Sequence, residues 1–220
     1  MGMIISGRSI DRIQIIDDDP NVRASYEYPV EELSALPVMA VGPLPLLADF
    51  IQLSRGVADA AICDFQLRVR NYAGFNGAET VALMYQNQFP AVLCTRYEQS
   101  SIDEMRRFRR FIPVLMKPNE LNPGSLVKGF EICINEFTDN YSSYRKPWRT
   151  LVRVDDLDEE NGYFYVIVPA WDPNQIIRIK KTDLPKNVLD KLGRKSRFHA
   201  LVNVGAELHQ EIYFDNWESD

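Results

Sequence analysis

At 220 residues the chain is long for one ordinary domain and comfortable for two. A hydrophobic content of 45% excludes disorder as the main state, and no apolar run reaches the ~18 residues of a membrane span. The formal net charge of −6 is shared by both halves, so neither is a basic module built for nucleic acid.

The opening stretch (MGMIISGRSIDR) carries a short apolar run but no basic leader or small-residue cleavage site, so no signal peptide is expected. Ser6 after Gly2 reads as a chance match to a lipidation motif. Arg12–Asp18 (RIQIIDD), Pro37–Val41, Ala58–Asp64 (ADAAICD), Ala91–Thr95 (AVLCT) and Ile112–Lys117 (IPVLMK) read as five strands. Amphipathic stretches near Asn21–Tyr28, Leu44–Leu53, Ala78–Gln88, Ser101–Arg110 and Pro123–Asn140 alternate with them. Continuous apolar strands separated by helices predict a parallel sheet covered on both faces. Asp19-Pro20 is a helix start, an acidic cap before proline at the first position, and Pro29 is expected to end that helix early.

After Tyr141 the pattern changes. Ser142–Trp148 (SSYRKPW) reads as a linker. Thr150–Val154, Tyr163–Pro169 and Gln175–Ile179 alternate like strands, Pro185–Leu192 reads as one short helix, and Arg197–Val204 and Glu211–Phe214 as two last strands. Five short strands and a helix predict a small β-barrel of oligonucleotide-binding or SH3-like type. The domain division expected is thus 1–141, a linker over 142–148, and 149–220. Cys63, Cys94 and Cys133 have no metal-type spacing; Cys63 and Cys94 fall in apolar runs, as small hydrophobes do, and a reducing cytosol suits them.

Open parallel sheets place their sites at the carboxyl ends of the strands. Asp17 and Asp18 close the first predicted strand, Asp64 the third, Thr95 the fourth and Lys117 the fifth. Three carboxylates at one sheet edge repel unless a cation lies among them, and oxygen-only ligands favour a hard ion such as Mg²⁺. A hydroxyl and a lysine opposite that ion complete a site for a dianionic phosphoryl group.

On RIQIIDDDP, ADAAICD, AVLCT and VLMKP, residues 10–140 resemble a response-regulator receiver domain of two-component signalling. The resemblance implies a flavodoxin-like fold, a five-stranded parallel doubly wound sheet, here with the small C-terminal barrel added. It implies that Asp17 and Asp18 hold Mg²⁺ and that Asp64 accepts the phosphoryl group from a histidine kinase or phosphotransfer protein. By the same resemblance the backbone carbonyl of Gln66 is the third metal ligand, Thr95 bonds the phosphoryl group, and Lys117 pairs with it. Three features depart from the family. The loop from Asp64 to Gly77 is long and carries Arg68 and Arg70, Arg96 follows Thr95 where a small residue is usual, and Val114 replaces a common aromatic switch.

The arginines of Ser101–Phe111 read as a solvated helix face, with a docking surface as the alternative. Arg178, Lys180, Lys181, Arg194, Lys195 and Arg197, with Tyr163 and Trp171 nearby, raise single-stranded nucleic acid as a lesser option. His199 and His209 read as strand-face residues. No helix-turn-helix is apparent, which favours output through protein contacts over a transcription factor. Two alternatives stand beside the phosphoacceptor: a haloacid-dehalogenase-like phosphatase using Asp17 and Asp19, and a pseudo-receiver that only binds proteins. A cytoplasmic protein with no membrane partner is expected; homodimerisation is left open.

Overall fold

The computed structural model describes residues 2–95 and 99–219. The chain divides into two compact units: Met1–Tyr97 with Phe111–Asn140, and Glu98–Arg110 with Tyr141–Asp220.

The first unit opens with an antiparallel hairpin, β1 (Met3–Ile5) and β2 (Arg8–Ile10). Its two-residue turn, Ser6 and Gly7, is left-handed at both positions (φ 46° and 80°), which suits the twist of the strands it joins. β3 (Arg12–Ile16) follows, with Ile13, Ile15 and Ile16 all buried. Asp19 caps α1 (Pro20–Ser25) by accepting the Asn21 N–H at 2.9 Å. Pro29 does not end that helix. The break comes at Tyr26, and Pro29 lies in the first turn of α2 (Glu27–Glu31), where a missing N–H leaves no helical bond unmade. β4 (Leu36–Met39), α3 (Leu47–Val57), β5 (Ala60–Asp64), α4 (Gly77–Gln86) and β6 (Ala91–Cys94) come next. The chain then passes through α5 (Gln99–Met105) and a 3-10 segment (Arg106–Phe111) before β7 (Leu115–Met116) and α6 (Pro123–Glu136).

Five strands pair in parallel in the order β4-β3-β5-β6-β7. Renumbered within the sheet this is 2-1-3-4-5, the flavodoxin-like doubly wound order. Residues of β5 and β6 are buried on both faces except at Asp64, as a sheet covered by helices requires. On one face Ile13, Ile15, Ile62 and Val92 pack with Leu126 and Phe130 of α6. Each fully buried aliphatic side chain contributes about 1.5–3 kcal/mol by leaving water.

In the second unit, β8 (Trp148–Asp158), β9 (Tyr163–Val168), β10 (Asp172–Lys180), α7 (Lys186–Leu189), β11 (Arg197–Val202) and β12 (Phe214–Ser219) form an antiparallel sheet in the order β10-β9-β8-β11-β12. Alternate residues point to one core: Val152 and Val154, Phe164, Val166 and Val168, Ile177 and Ile179, Phe198, Ala200 and Val202. The strands and short helix are those expected, but the sheet differs from the expected barrel. β10 and β12 are its outer strands and no pairing between them closes it among the described residues. Strand alternation is the same in an open sheet and a barrel; closure depends on strand tilt and register shear, which alternation does not encode.

Segment 101–111 is not a solvated arginine face. Arg106 and Arg109 are buried within the second unit. Arg106 Nη1 donates to the carbonyls of His209 (3.2 Å) and Ile212 (3.1 Å). Arg145, in the stretch read as a linker, is fully buried and donates to the carbonyls of Arg109 and Arg110 at 3.1 and 2.9 Å. Three members of the basic stripe are engaged by acids: Arg178 with Asp103, Lys181 with Glu159 and Arg194 with Asp156. Trp171 donates its Nε1–H to the carbonyl of Ala206 at 2.7 Å. His199 lies on β11, whereas His209 lies in a turn outside the strands.

Candidate functional site

The pairing register brings the sequence-predicted side chains to one edge of the parallel sheet. Ile16 stands opposite Cys63, so Asp17 and Asp64, each one step further, lie abreast at the carboxyl ends of β3 and β5. Asp64 stands opposite Cys94, and Cys94 opposite Met116. Thr95 and Lys117, each one step past those partners, lie abreast at the ends of β6 and β7. Two backbone bonds fix this edge: Phe65 N–H to the Cys94 carbonyl (3.2 Å) and Thr95 N–H to the Met116 carbonyl (2.8 Å). With neighbouring strands ~4.8 Å apart, the row from Asp17 to Lys117 spans only a few strand widths.

Asp17 and Thr95 are buried, Asp18 and Asp64 partly exposed, and Gln66 and Lys117 exposed. Burial pushes the Asp17 carboxyl up to about 7; an N–H from Asp19 opposes this, while the negative charges of Asp64, Asp18 and Asp19 add to it. Asp17 Oδ1 accepts that Asp19 N–H at 2.8 Å, and the Asp17 carbonyl accepts from Arg23. Asp64 Oδ2 accepts the Gln66 N–H at 2.7 Å. Asp19, as a helix cap with Arg70 beside it, has its carboxyl held below the usual range, first by the Asn21 N–H and then by Arg70.

Among the described residues, no three His, Cys, Asp or Glu side chains are grouped as a ready metal cage. The donor chemistry of this edge nonetheless suits a hard divalent cation. Its oxygens are carboxylates and carbonyls, and the carboxyl of Asp17 is raised first by burial and then by the negative charges of Asp64, Asp18 and Asp19.

The loop from Phe65 to Asn76 is tied down along its length. Phe65, Leu67, Tyr72 and Phe75 are buried, and the Tyr72 hydroxyl donates to the Ala40 carbonyl at 2.8 Å. Further bonds run from Ala73 N–H to the Leu67 carbonyl (3.1 Å) and from Leu44 N–H to the Tyr72 carbonyl (2.7 Å). At its tip Arg70 and Asn71 are both left-handed (φ 54° and 58°), which costs about 1–2 kcal/mol per L-residue and is offset by these anchors. The two loop arginines noted in the sequence diverge. Arg68 pairs with Glu79 at 3.0 Å, while Arg70 reaches Asp19 at 3.2 Å and Asp18 at 3.7 Å. Val114 is a buried core residue. Arg96 lies outside the described residues.

One positioning residue escaped the sequence reading. Gly77 opens α4, its N–H donating to the Phe65 carbonyl at 2.9 Å, and a side chain there would collide with the carbonyl of Asp64. A glycine ending a long loop just before a helical pattern was the signal for it.

No family model matches the chain, and no curated protein matches it. Solved structures similar to part of the chain include several titled as response regulators or their receiver domains. One, a receiver domain protein from Clostridium thermocellum, is 11% identical over 58% of this chain and 96% of its own, with a TM-score of 0.43. The N-terminal domain of a response regulator/sensory box/GGDEF protein from Carboxydothermus hydrogenoformans is 15% identical over 59% and 98%, with a TM-score of 0.43. A LuxR-family DNA-binding response regulator from Staphylococcus aureus is 13% identical over 57% and 99%, with a TM-score of 0.41. Among the described residues no helix is long and apolar enough to cross a membrane.

Proposed function

We propose that the first unit is a phosphoacceptor of the response-regulator kind, with Asp64 as the modified residue. The observation that supports this best is the strand register of a 2-1-3-4-5 sheet, which sets Asp17 beside Asp64 and Thr95 beside Lys117 along one carboxyl edge. A partly exposed Asp64, on the strand between those that end at the buried Asp17 and at Thr95, is open to a phosphoryl donor while its own backbone is fixed.

In the proposed reaction a carboxylate oxygen of Asp64 attacks the phosphorus of a phosphohistidine on a kinase or phosphotransfer protein. The P–O bond of an acyl phosphate forms as the P–N bond breaks, and the imidazole nitrogen leaves with the bonding electron pair. Asp17, Asp18, Asp64 and the Gln66 carbonyl would hold Mg²⁺, which would neutralise charge on the transferred group. Lys117 supplies a point charge to the phosphoryl oxygens, and the Thr95 hydroxyl donates a hydrogen bond to one of them. The second unit begins at Glu98, three residues beyond Thr95 in sequence. We assign that unit an output role through protein contacts, in a cytoplasmic setting.

The phosphatase alternative uses Asp17 and Asp19 as a catalytic pair. Asp19 is committed elsewhere, one oxygen to the Asn21 N–H and the other to Arg70. Beryllofluoride, a phosphoryl mimic, tests the phosphoacceptor. Mg²⁺-dependent binding to the wild type and none to Asp64→Ala is the expected result; no binding to the wild type, or equal binding to both, overturns it.

A further inference from the structure

We infer that Arg70 is a tethered cation that competes with the divalent ion for the acidic edge, an inference that rests on the phosphoacceptor function proposed above. Its guanidinium Nη1 is shared between Asp19 Oδ2 at 3.2 Å and Asp18 Oδ2 at 3.7 Å. The Asp18 side chain is only 14% exposed, whereas Arg70 is 60% exposed, so the arginine comes to the acid from the solvent side. Its approach is set by the backbone. Residues on both sides of the loop tip are anchored through Leu67 and Tyr72, and the left-handed pair Arg70 and Asn71 turns the chain between them.

Two carboxylates that share one guanidinium have a choice when a second cation arrives. Asp19 is already a helix cap, satisfied by the Asn21 N–H, and keeps Arg70 without loss. Asp18 follows the strand end directly and is the member of the pair required as a metal ligand. Ion entry therefore breaks the longer contact and leaves the shorter one. Arg70 lowers metal affinity and makes metal occupancy felt in the loop around residues 66–73. The phosphoryl acceptor would then be charged with metal only when the free ion is plentiful, and the loop would report that occupancy to any protein docking on it.

Mg²⁺ and Mn²⁺ titrations by calorimetry, on the full chain with Arg70, with Arg70→Gln and with Arg70→Lys, test this. Arg70 is exposed, so neither substitution disturbs the core. An exposed ion pair of ordinary strength corresponds to a few-fold in affinity, rising towards tenfold for a partly buried acid. Arg70→Gln is expected to bind either ion about three- to tenfold more tightly, with Arg70→Lys close to the wild type. In the wild type, hydrogen exchange of residues 66–73 should change on adding metal, and in Arg70→Gln it should change less. Equal affinities for all three proteins overturn the competition while leaving the metal site standing. No binding of either ion to any of the three removes the metal site itself, and the competition with it.

Discussion

A β-carbon built on Gly77 would lie 1.8 Å from the carbonyl oxygen of Asp64. The two residues are 13 apart in sequence, and the loop between them closes so tightly that helix α4 starts against the backbone of the proposed phosphoacceptor. Because the obstacle is backbone, relief requires either α4 or the end of β5 to move. Gly77→Ala is expected to lower stability by about 1–3 kcal/mol, as overpacking does elsewhere. It should also weaken beryllofluoride binding more than its effect on stability alone explains. Chemical denaturation and a binding titration on the same variant check both.

Asp17 gives a pH signature. Its carboxyl, raised to about 7 in the folded chain from an ordinary value of 3.8, binds a proton more readily folded than unfolded. The folded state is therefore favoured at low pH, and stability falls as the pH rises from about 4 through about 7. In metal-free protein, Asp17→Asn should remove this fall and be more stable than the wild type at pH 8. Denaturant midpoints at pH 5 and pH 8, with and without the substitution, would show it; an unchanged pH profile would reject it.

Lys117 should act on the bound phosphoryl mimic rather than on the fold, because its side chain is exposed at the strand end. A hydrogen bond to a charged group is worth about 1.5–3 kcal/mol, so Lys117→Gln is expected to weaken beryllofluoride binding by roughly ten- to a hundredfold. Its thermal midpoint should stay near that of the wild type. Loss of folding instead would mean that the lysine is structural.

In the second unit Arg106 carries the clearest structural prediction. It is buried, and its desolvation holds the guanidinium at about 10, lowered from the ordinary value. Arg106→Met preserves much of the volume but strands the carbonyls of His209 and Ile212. We expect a loss of roughly 2–3 kcal/mol, read by urea denaturation of the full chain. Arg107→Met, the adjacent substitution, serves as the comparison.

The parallel sheet was legible because its strands are largely apolar runs, such as Ala-Ala-Ile-Cys before Asp64, and because polar residues stop four of the five runs at the same end. The candidate site was legible for the same reason: strand ends can be counted from the sequence once the strands are known. Other features depended on tertiary partners. Arg106, Arg109 and Arg145 look solvent-bound in sequence, yet their guanidiniums are buried; those of Arg106 and Arg145 bond backbone carbonyls that no local pattern announces. The reach of Arg70 to Asp18 was equally hidden, since it depends on left-handed backbone at a loop tip. The first hairpin was a missed local signal, a Ser-Gly pair between two short apolar stretches.

The three cysteines are all within a few per cent of full burial, and burial raises the thiols of Cys63 and Cys94 above their ordinary range. A thiol reagent should therefore find little to attack in the native chain. A single cysteine engineered onto an exposed loop position could carry a fluorophore or spin label without the native three being removed. Slow release of the buried sulfurs would, in turn, time the opening of the parallel sheet from within.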